Sequence, residues 1–544
     1  MPSFTLDGQQ VPYEPGDTIL RAAWRAGIEI PHYCWHPGLS VAANCRMCLV
    51  HIESGRQMDM PILRYDAGKK AYVPDTKPKL MPACQFPAGE DLVVSSTSEV
   101  VKTAQAHVQE WLLLNHPVDC PICDQAGECK LQDYWSSHDP QMKRKRTEPV
   151  HKPKAQRFGP TIVYDAERCI MCTRCIRVCD ELVGDHVLDM RERGNRNEIF
   201  VAPGRELDHR YTLMTEHVCP VGALTSRDFR FKARVWFLKS ANGVCSGCAK
   251  GCNTHVDYDP RSGQVQRLRP RDNMDVNQFW MCDDGMMTYK TVTEERILTG
   301  LVGRGEGRDL VSPGAARTEA AKRLSTVAPE KIAFLLSATA STEENAALAR
   351  LAQALGSTHL YLAARRDWQG DAILRSADHN PNRAGANLAA GHTLEEGLED
   401  LVSDLLAGAL EGVVALGVDA AETLEALGPM AALDASVVFA ANRSVLTEAA
   451  SVVVPIASWA ESVGTYVNGQ GRTQAYRRAV LPPGGVQEGW RAIAALAEAM
   501  TELQLASGIV VTRGEEGIVE VEAGKIAIVP AWRFLLDLQG DDKA

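Results

Sequence analysis

Apolar positions near the start of the chain alternate in the way that predicts a small β-sheet. Residues 4–6 and 11–13 flank the dipeptide Asp7-Gly8, and Asp-Gly is a favoured two-residue turn between antiparallel strands. A further strand is predicted at residues 49–52, directly after Cys48. This pattern predicts a hairpin followed by a third strand.

Two helices are predicted beside these strands. The first can be capped by Asp17 or Thr18 and ends at Gly27, because Asp and Thr accept hydrogen bonds at helix starts and Gly adopts the left-handed conformation at helix ends. The second covers residues 98–115, where apolar residues recur at helical spacing. We expect its apolar face, including Trp111, to pack into a core.

From about residue 297 the sequence becomes rich in Ala, Leu and Val, and short apolar strands alternate with helices. Strands are predicted at residues 331–336, 412–416, 436–440 and 451–454. A capping box at residues 341–344 opens a helix that stops before Gly356. This alternation predicts a layered α/β domain with a parallel sheet, whose ligands would bind beyond the carboxyl ends of the strands. Neither a GxGxxG fingerprint nor a Walker loop is present, so we expect this domain to be structural and to bind no cofactor.

Length and charge narrow the class of protein. A chain of 544 residues is too long for one core and predicts several domains. The net charge of -11 argues against nucleic acid as a partner. The N-terminus lacks the features of a signal peptide, and no apolar stretch is long enough to span a bilayer. We therefore expect a soluble protein that meets a membrane only through partner subunits.

The 16 cysteines are confined to one part of the chain. All lie between Cys34 and Cys282, and the segment beyond Cys282 has none. Disulfides would not be so confined, and without a secretion signal the compartment is expected to be reducing. Clustered Cys-x-x-Cys pairs then indicate metal binding.

One histidine and three cysteines lie within fourteen consecutive residues. They are His116, Cys120, Cys123 and Cys129. Pro117 and Pro121 prevent a regular helix there, so a bent loop can bring the side chains together. Zinc accepts His and Cys at such spacings as readily as iron does, and this segment alone does not decide between the two metals.

An earlier set comprises Cys34, Cys45, Cys48 and Cys84. Three close thiolates with one distant partner suit a 2Fe-2S cluster. A zinc site is the alternative, but it usually has two Cys-x-x-Cys pairs and this segment has one. The order of hairpin, helix and cysteine loop resembles that of plant-type β-grasp ferredoxins, although their Cys-x4-Cys spacing is widened to ten residues here.

A third set begins with Cys169, Cys172 and Cys175 at strict two-residue spacing. Three such thiolates suit three corners of a 4Fe-4S cluster, and the Cys-Pro turn at Cys219 offers the fourth. Cys179 also follows the two-cluster ferredoxin pattern, but the second triad of that pattern is missing. We therefore predict that Cys179 is a buried free thiol.

The fourth set is Cys245, Cys248, Cys252 and Cys282. Its spacing resembles the 4Fe-4S module at the front of molybdopterin-dependent oxidoreductases such as formate dehydrogenases, and zinc is again the alternative. Fifteen cysteines and His116 thus form four complete sets, with only Cys179 left over. Four separate zinc sites or chance would rarely divide the residues so cleanly, which favours one 2Fe-2S and three 4Fe-4S clusters.

The order of these sets resembles that of the 75-kDa iron-sulfur subunit family of NADH-quinone oxidoreductase, which is respiratory complex I. The resemblance is carried by residues 115–123, 127–133 and 216–225, and residues 461–472 resemble the family's remnant of a molybdopterin domain. Many family members have a much longer C-terminal part than the segment after Cys282.

The resemblance implies an electron relay without a substrate site of its own. Electrons would enter the Cys34 set from an FMN-bearing, NADH-binding partner, continue through the Cys169 set to the His116 set, and leave for another hydrophilic-arm subunit. The Cys245 set lies off this path. The resemblance also implies a peripheral location on the cytoplasmic face of the inner membrane.

We expect a multidomain α/β and α+β chain. The predicted domains are a β-grasp 2Fe-2S domain, a 4Fe-4S domain with one His and three Cys ligands, a ferredoxin-like 4Fe-4S domain, a molybdopterin-oxidoreductase-type 4Fe-4S domain, and a shortened molybdopterin-oxidoreductase-like domain. Their respective ranges are 1–96, 97–150, 151–238, 239–296 and 297–544.

Three other functions fit parts of this pattern. An NAD-linked formate dehydrogenase shares the ferredoxin front, but the segment beyond Cys282 is short for a complete pterin-binding domain and has no cysteine to bind molybdenum. An iron-only hydrogenase would need additional cysteines for its active-site cluster. A zinc-stapled scaffold without a redox role remains the third alternative, and metal analysis would separate it.

Overall fold

The computed structural model describes residues 1–55, 59–138, 144, 146–394, 397–417, 427–502, 507–512, 517–521 and 524–530. The chain forms two compact units, Met1–Phe237 and Leu238–Ala544. No helix among the described residues combines the length and the apolar character needed to cross a bilayer.

The first unit begins with a mixed five-stranded sheet in the order β2-β1-β7-β3-β6, and a separate hairpin, β4-β5, lies between Cys48 and Cys84. The elements up to Ser95 are β1 (Ser3–Leu6), β2 (Gln9–Pro12), α1 (Ile19–Arg25), β3 (Leu49–Ser54), β4 (Asp59–Asp66), β5 (Ala71–Pro78), β6 (Met81–Pro82) and β7 (Val93–Ser95).

The predicted hairpin and first helix are both confirmed. Strands β1 and β2 pair antiparallel around Asp7-Gly8, and both turn residues have positive φ. The Thr18 side chain caps α1 by accepting a hydrogen bond from the Arg21 amide. Apolar residues of α1, β1 and β3 share one buried core. A helix therefore packs on a sheet in which β1 and β7 run parallel, the arrangement expected of a β-grasp domain.

The rest of the first unit consists of short elements joined by the cysteine-bearing loops. They are α2 (Glu99–Leu113), α3 (Lys130–His138), β8 (Gln156–Arg157), β9 (Ile162–Tyr164), α4 (Arg174–Arg177), β10 (Leu188–Arg191), β11 (Glu198–Val201), α5 (Thr212–His217) and β12 (Leu224–Ser226). A single π-helical turn, Val178–Val183, follows α4 and carries Cys179.

The prediction that Trp111 packs into a core is wrong. Helix α2 forms as expected, but its Trp111 side chain is 69% exposed. The buried face carries Val101, Gln105, Val108 and Gln109 instead, and Gln109 Nε2 donates to the Tyr33 hydroxyl at 2.5 Å. Two buried polar side chains therefore occupy positions that a purely apolar pattern cannot identify.

The second unit begins with a three-stranded antiparallel sheet followed by a larger α/β domain. Up to α8 the elements are β13 (Lys239–Val244), β14 (Asn253–Asp259), β15 (Gln264–Pro270), α6 (Asp283–Met287), β16 (Gly300–Val302), β17 (Asp309–Val311), α7 (Pro313–Leu324), β18 (Ile332–Ser337) and α8 (Thr342–Leu355). The remainder are β19 (Leu360–Ala363), α9 (Arg383–Ala390), α10 (Leu398–Leu406), β20 (Gly412–Leu416), α11 (Gly428–Ala432), β21 (Ala435–Ala440), α12 (Val445–Ala449), β22 (Val452–Pro455), β23 (Gly464–Val467), β24 (Thr473–Tyr476), α13 (Gly489–Glu502), β25 (Ser507–Thr512), β26 (Gly517–Val521) and β27 (Gly524–Pro530).

The predicted parallel sheet is confirmed, with antiparallel strands added at one edge. Its order is β17-β16-β22-β21-β20-β18-β19, and the five strands from β22 to β19 are parallel. One buried core joins the sheet to α7, α8 and α13, and another joins its opposite face to α10, α11 and α12. Helices therefore cover both faces, which explains why these strands read as continuous apolar runs.

Candidate metal centres

Pairing of β3 with β6 brings the distant cysteine of the first set back to the other three. Cys48 lies directly before β3, and Leu49 pairs with Pro82 of β6. The Ala83 amide then donates to the Cys48 carbonyl at 2.8 Å, so Cys84 follows beside Cys48. Within the loop, the Cys34 amide donates to Cys45 Sγ at 3.5 Å. The structure therefore brings the first set together as two adjacent pairs.

The thiols of the first set affect one another's ionisation. The pKa of Cys34 is lowered because the Cys45 side chain hydrogen-bonds to its sulfur. The pKa values of Cys45 and Cys48 are raised by hydrogen bonding to the thiols of Cys34 and Cys84, respectively, and by burial. Cys45 and Cys48 can ionise beside Cys34 only if a cation offsets the charge.

The second set lies on a loop between α2 and α3. Cys120 is exposed at the start of a 3-10 turn, Cys123 is buried at its end, and Cys129 directly precedes α3. Burial raises the pKa of Cys129 to about 11, with added repulsion from Cys123 and Cys120. His116 is half-buried, just beyond the end of α2. The three thiols therefore lie close enough to affect one another's charge. Ligation by His116 stays a prediction.

The Cys219 turn packs directly against this loop. The Lys130 amide donates to the Pro220 carbonyl at 3.0 Å. A Cβ atom at Gly222 would overlap Cys123 Sγ, so only glycine allows this approach. The distance between the second and third sets therefore depends on Gly222. The positions of the cysteines in the sequence do not reveal this role.

The third set surrounds a small cavity. Its lining includes Cys169, Cys172, Cys175 and Cys219, together with Tyr164. Met171 and Thr173 both adopt positive φ between the cysteines, which allows the close-spaced thiols to turn toward one point. The cavity supports the choice of Cys219 as the remote fourth member.

Cys179 is fully buried and is approached by a different side chain. Its Sγ lies 3.5 Å from His209 Nε2. Burial raises its pKa to about 12, with repulsion from Asp180 and Asp185, so the thiol is neutral at physiological pH. This environment supports the prediction of a buried free thiol.

The fourth set is formed at the loop between β13 and β14. Cys245, Cys248 and Cys252 lie on that loop, and Cys282 caps α6 by accepting a hydrogen bond from the Gly285 amide at 3.3 Å. A Cβ atom at Gly285 would lie 3.1 Å from Cys245 Sγ and 3.3 Å from Cys282 Sγ. This glycine therefore allows the two ends of the set to meet.

The donor chemistry of the three proposed 4Fe-4S sets fits a thiolate-bound metal. Burial raises the pKa of Cys123, Cys175 and Cys252, so these thiolates need a positive charge beside them. Several soft sulfur ligands suit iron-sulfur clusters or zinc. Among the described residues, no three His, Cys, Asp or Glu side chains converge as ligands of a single ion would. In a cluster, by contrast, the thiolates bind different iron atoms.

A large cleft lies at the carboxyl edge of the parallel sheet. It has a volume of about 660 Å³ and includes Ser246 and Gly247 of the Cys245 loop. Residues that follow five parallel strands also line it, namely Ala340, Arg365, Gly417, Asn442 and Ser458. This volume is typical of small-molecule sites. The strand pattern predicts a binding edge here, although the sequence carries no recognisable motif for it.

Comparison with known proteins adds four family matches. Residues 2–99 match a 2Fe-2S iron-sulfur cluster binding domain, and residues 105–144 match the NADH-ubiquinone oxidoreductase-G iron-sulfur binding region. Residues 159–225 match the ferredoxin-like domain of NADH-quinone oxidoreductase subunit 3, and residues 410–499 match molybdopterin oxidoreductase. The fold and these matches define a multidomain iron-sulfur protein with a molybdopterin-oxidoreductase domain.

Curated relatives narrow the similarity within this class. The G subunit of NADH-quinone oxidoreductase from Rickettsia felis is 33% identical over 379 residues, which is 69% of this chain and 52% of the relative. The mitochondrial NADH dehydrogenase [ubiquinone] iron-sulfur protein 1 of Solanum tuberosum is 32% identical over 419 residues, which is 76% of this chain and 51% of the relative. The chain is similar to members of the G-subunit family of NADH-quinone oxidoreductase. It spans about half the length of the curated relatives it matches.

Among solved structures, an NAD+-reducing [NiFe]-hydrogenase in the H2-reduced state is similar to part of the chain. The identity is 28%, the match covers 43% of this chain and 91% of that chain, and the TM-score is 0.35.

Proposed function

We propose that this chain is an electron-transfer subunit of an NADH-quinone oxidoreductase. It would relay electrons from an FMN-bearing, NADH-binding subunit toward quinone and would have no substrate site of its own. The observation that carries this proposal is the gathering of four cysteine-rich sets, three of them in segments that match iron-sulfur domains. Two of those three domain models are of NADH-quinone or NADH-ubiquinone oxidoreductase. Bound clusters would accept and release single electrons, while the chain fixes their spacing and shields them from water.

The proposed ligands are those of the four sets. Cys34, Cys45, Cys48 and Cys84 would hold the 2Fe-2S cluster. The three 4Fe-4S clusters would be held by His116 with Cys120, Cys123 and Cys129, by Cys169, Cys172, Cys175 and Cys219, and by Cys245, Cys248, Cys252 and Cys282. The five predicted domain ranges belong to the same proposal, as does the absence of molybdopterin.

The partners would be the other hydrophilic-arm subunits of the complex. The chain would meet the membrane only through them, on its cytoplasmic face. Similarity to the G-subunit family supports a place in such an assembly.

Electron paramagnetic resonance of the chemically reduced chain within its complex tests this proposal. We expect four distinguishable cluster signals. A His116→Ala variant should lose or alter one signal and leave the other three, because His116 is proposed to bind one cluster only. His151→Ala is a matched control, because His151 is an exposed histidine that pairs with Glu167. If His116→Ala left every signal unchanged, the histidine would not be a ligand.

A further inference from the structure

Two arginines lie between the cysteines of the third set and reach the loop of the first. Arg174 and Arg177 form the ends of α4, between Cys172 and Cys179. Arg177 Nη2 donates to the Cys34 carbonyl at 2.6 Å and to the Cys172 carbonyl at 3.2 Å. One guanidinium therefore binds the backbone of a residue from each of two proposed ligand sets.

Further contacts of these arginines join the loop of the first set to a second segment of the third set. Arg177 Nη1 donates to the Ser40 carbonyl at 2.5 Å, within the first loop. Arg174 donates to the carbonyls of Trp35 and Val218, which neighbour Cys34 and Cys219. The planar guanidinium has five donors in a rigid fork, so each arginine can hold the loop of the first set at a fixed distance from a segment of the third set.

Each of the two guanidinium groups has a polar atom without a hydrogen-bond partner. The Nε atoms of Arg174 and Arg177 are buried and have no hydrogen-bond partner. Among the described residues, no carboxylate forms an ion pair with either arginine, and the hydrogen bonds that they donate go to backbone carbonyls. Burying an unpaired charge is costly. A negatively charged group between the two loops would supply the missing counter-charge. It would also accept hydrogen bonds from the unpaired Nε–H groups.

We propose that Arg177 tunes the two proposed clusters of the Cys34 and Cys169 sets together. This inference rests on the proposed function, because it assumes that both clusters are bound. A cluster held by four thiolates is net negative and becomes more negative on reduction. A buried positive charge held between the two ligand loops would stabilise both reduced forms and raise both reduction potentials. Arg177 is a positioning residue, since it acts through the ligand loops and the cluster charges.

Potentiometric titration followed by electron paramagnetic resonance tests this role in the assembled complex. In Arg177→Gln, the midpoint potentials of the clusters on the Cys34 and Cys169 sets should both fall. Those on the His116 and Cys245 sets should stay unchanged. A purely structural role would lower cluster content without moving two potentials in the same direction.

Two other arginines provide matched controls. Arg234 Nη1 donates to the Cys123 carbonyl at 2.7 Å, so Arg234→Gln should move only the potential of the His116 set. Arg205 is exposed and pairs with Asp185 at 2.6 Å, so Arg205→Gln should move none of the four potentials.

If Arg177→Gln loses its iron, Arg177→Lys tests whether Arg177 affects both potentials. Lysine keeps a positive charge but cannot span three carbonyls, so both potentials should fall, by less than in a stable glutamine variant. Potentials that stay unchanged in both clusters, or that move in only one, would overturn the shared role of Arg177. Absence of the two signals from the unaltered protein would instead overturn the proposed function.

Discussion

At the scale of the residue, glycine determines how closely the ligand loops can approach. Gly222 and Gly285 have no special backbone conformation, and neither has a positive φ. What they provide is space, because a Cβ atom would press on Cys123 Sγ at the first and on Cys245 Sγ at the second. Cysteine sulfur atoms therefore pack against glycine backbone at two places.

Replacing Gly222 should disrupt the second set specifically. In Gly222→Ala, the new methyl group would overlap Cys123 Sγ and displace this sulfur from the other residues of the second set. We expect loss of the cluster signal of the His116 set and about four fewer iron atoms per chain. Spectra and iron content would be measured on the same sample.

Gly89→Ala is the matched control for this change. A Cβ atom there meets its nearest neighbour, Leu92 Cδ1, at an ordinary 3.7 Å. The control should keep all four signals. If Gly222→Ala also kept them all, the contact between Gly222 and Cys123 would have no part in holding the cluster.

Cysteine spacing groups the proposed ligands but does not reveal the residues that support them. The Cys-Pro turn points to Cys219 as the fourth member of the third set, and the cavity lining agrees with that choice. In the sequence, Arg174 and Arg177 lie between cysteines of the third set. Their role is visible only when folding brings the Cys34 loop against them, since no spacing rule links residues so far apart.

At the scale of the element, the contact between α8 and β23 depends on a buried carboxyl group. Glu343 lies in the first turn of α8 and is 8% exposed. It accepts hydrogen bonds from the Thr465 amide at 2.8 Å and from Thr465 Oγ1 at 3.0 Å. Burial raises the pKa of Glu343 to about 7, although the hydrogen bonds from Thr465 lower it. The carboxyl group is therefore protonated in the folded protein under mildly acidic conditions.

This raised pKa predicts a loss of stability as pH rises. The ordinary pKa of the group is 4.5, so between pH 4.5 and pH 7 the folded chain binds a proton that the unfolded chain has released. The stabilisation is complete below pH 4.5 and is lost through pH 7, a change of about 3 kcal/mol in the free energy of unfolding. Glu343→Gln should remove this dependence.

Urea unfolding at pH 5 and pH 8 would measure the effect. The difference in stability between the two pH values should be smaller in Glu343→Gln than in the unaltered protein. Glu330→Gln replaces an exposed carboxylate and should leave the difference unchanged. An equal difference in the Glu343 variant and the unaltered protein would show that Glu343 ionises as it would in water.

Elements were predictable where local signals agree with the packing. The capping box of α8 is present, with Ser341 and Glu344 bonded reciprocally, and the helix ends at Gly356 in the left-handed conformation. Hairpin β4-β5 is not predictable in this way, because its large described side chains are poorly buried: Leu63, Tyr65 and Tyr72 are more than half exposed. Sequence patterns reveal burial, and this hairpin has little of it.

At the scale of the whole molecule, the chain divides after Phe237. Three of the four proposed sets lie in the first unit and the Cys245 set lies in the second. Short loops and pairings within each unit complete each set, so the ligands of each set come from one unit only. The finer division into five domains stays a prediction.

A chain ending at Phe237 should therefore keep three clusters. We expect about 10 iron atoms per chain and the signals of the Cys34, His116 and Cys169 sets. The complementary chain from Leu238 should bind about four iron atoms. Loss of every signal from the first fragment, with the fragment still folded by circular dichroism, would contradict this division of the ligands.

The central claim is that the chain binds redox-active iron-sulfur clusters at all four sets. Anaerobic purification followed by analysis for iron, acid-labile sulfide, zinc and molybdenum tests it most directly. We predict about 14 iron atoms per chain, sulfide in equal amount, and neither zinc nor molybdenum in stoichiometric quantity. Zinc in place of iron would make the chain a metal-stapled scaffold, and stoichiometric molybdenum would contradict a pure electron relay.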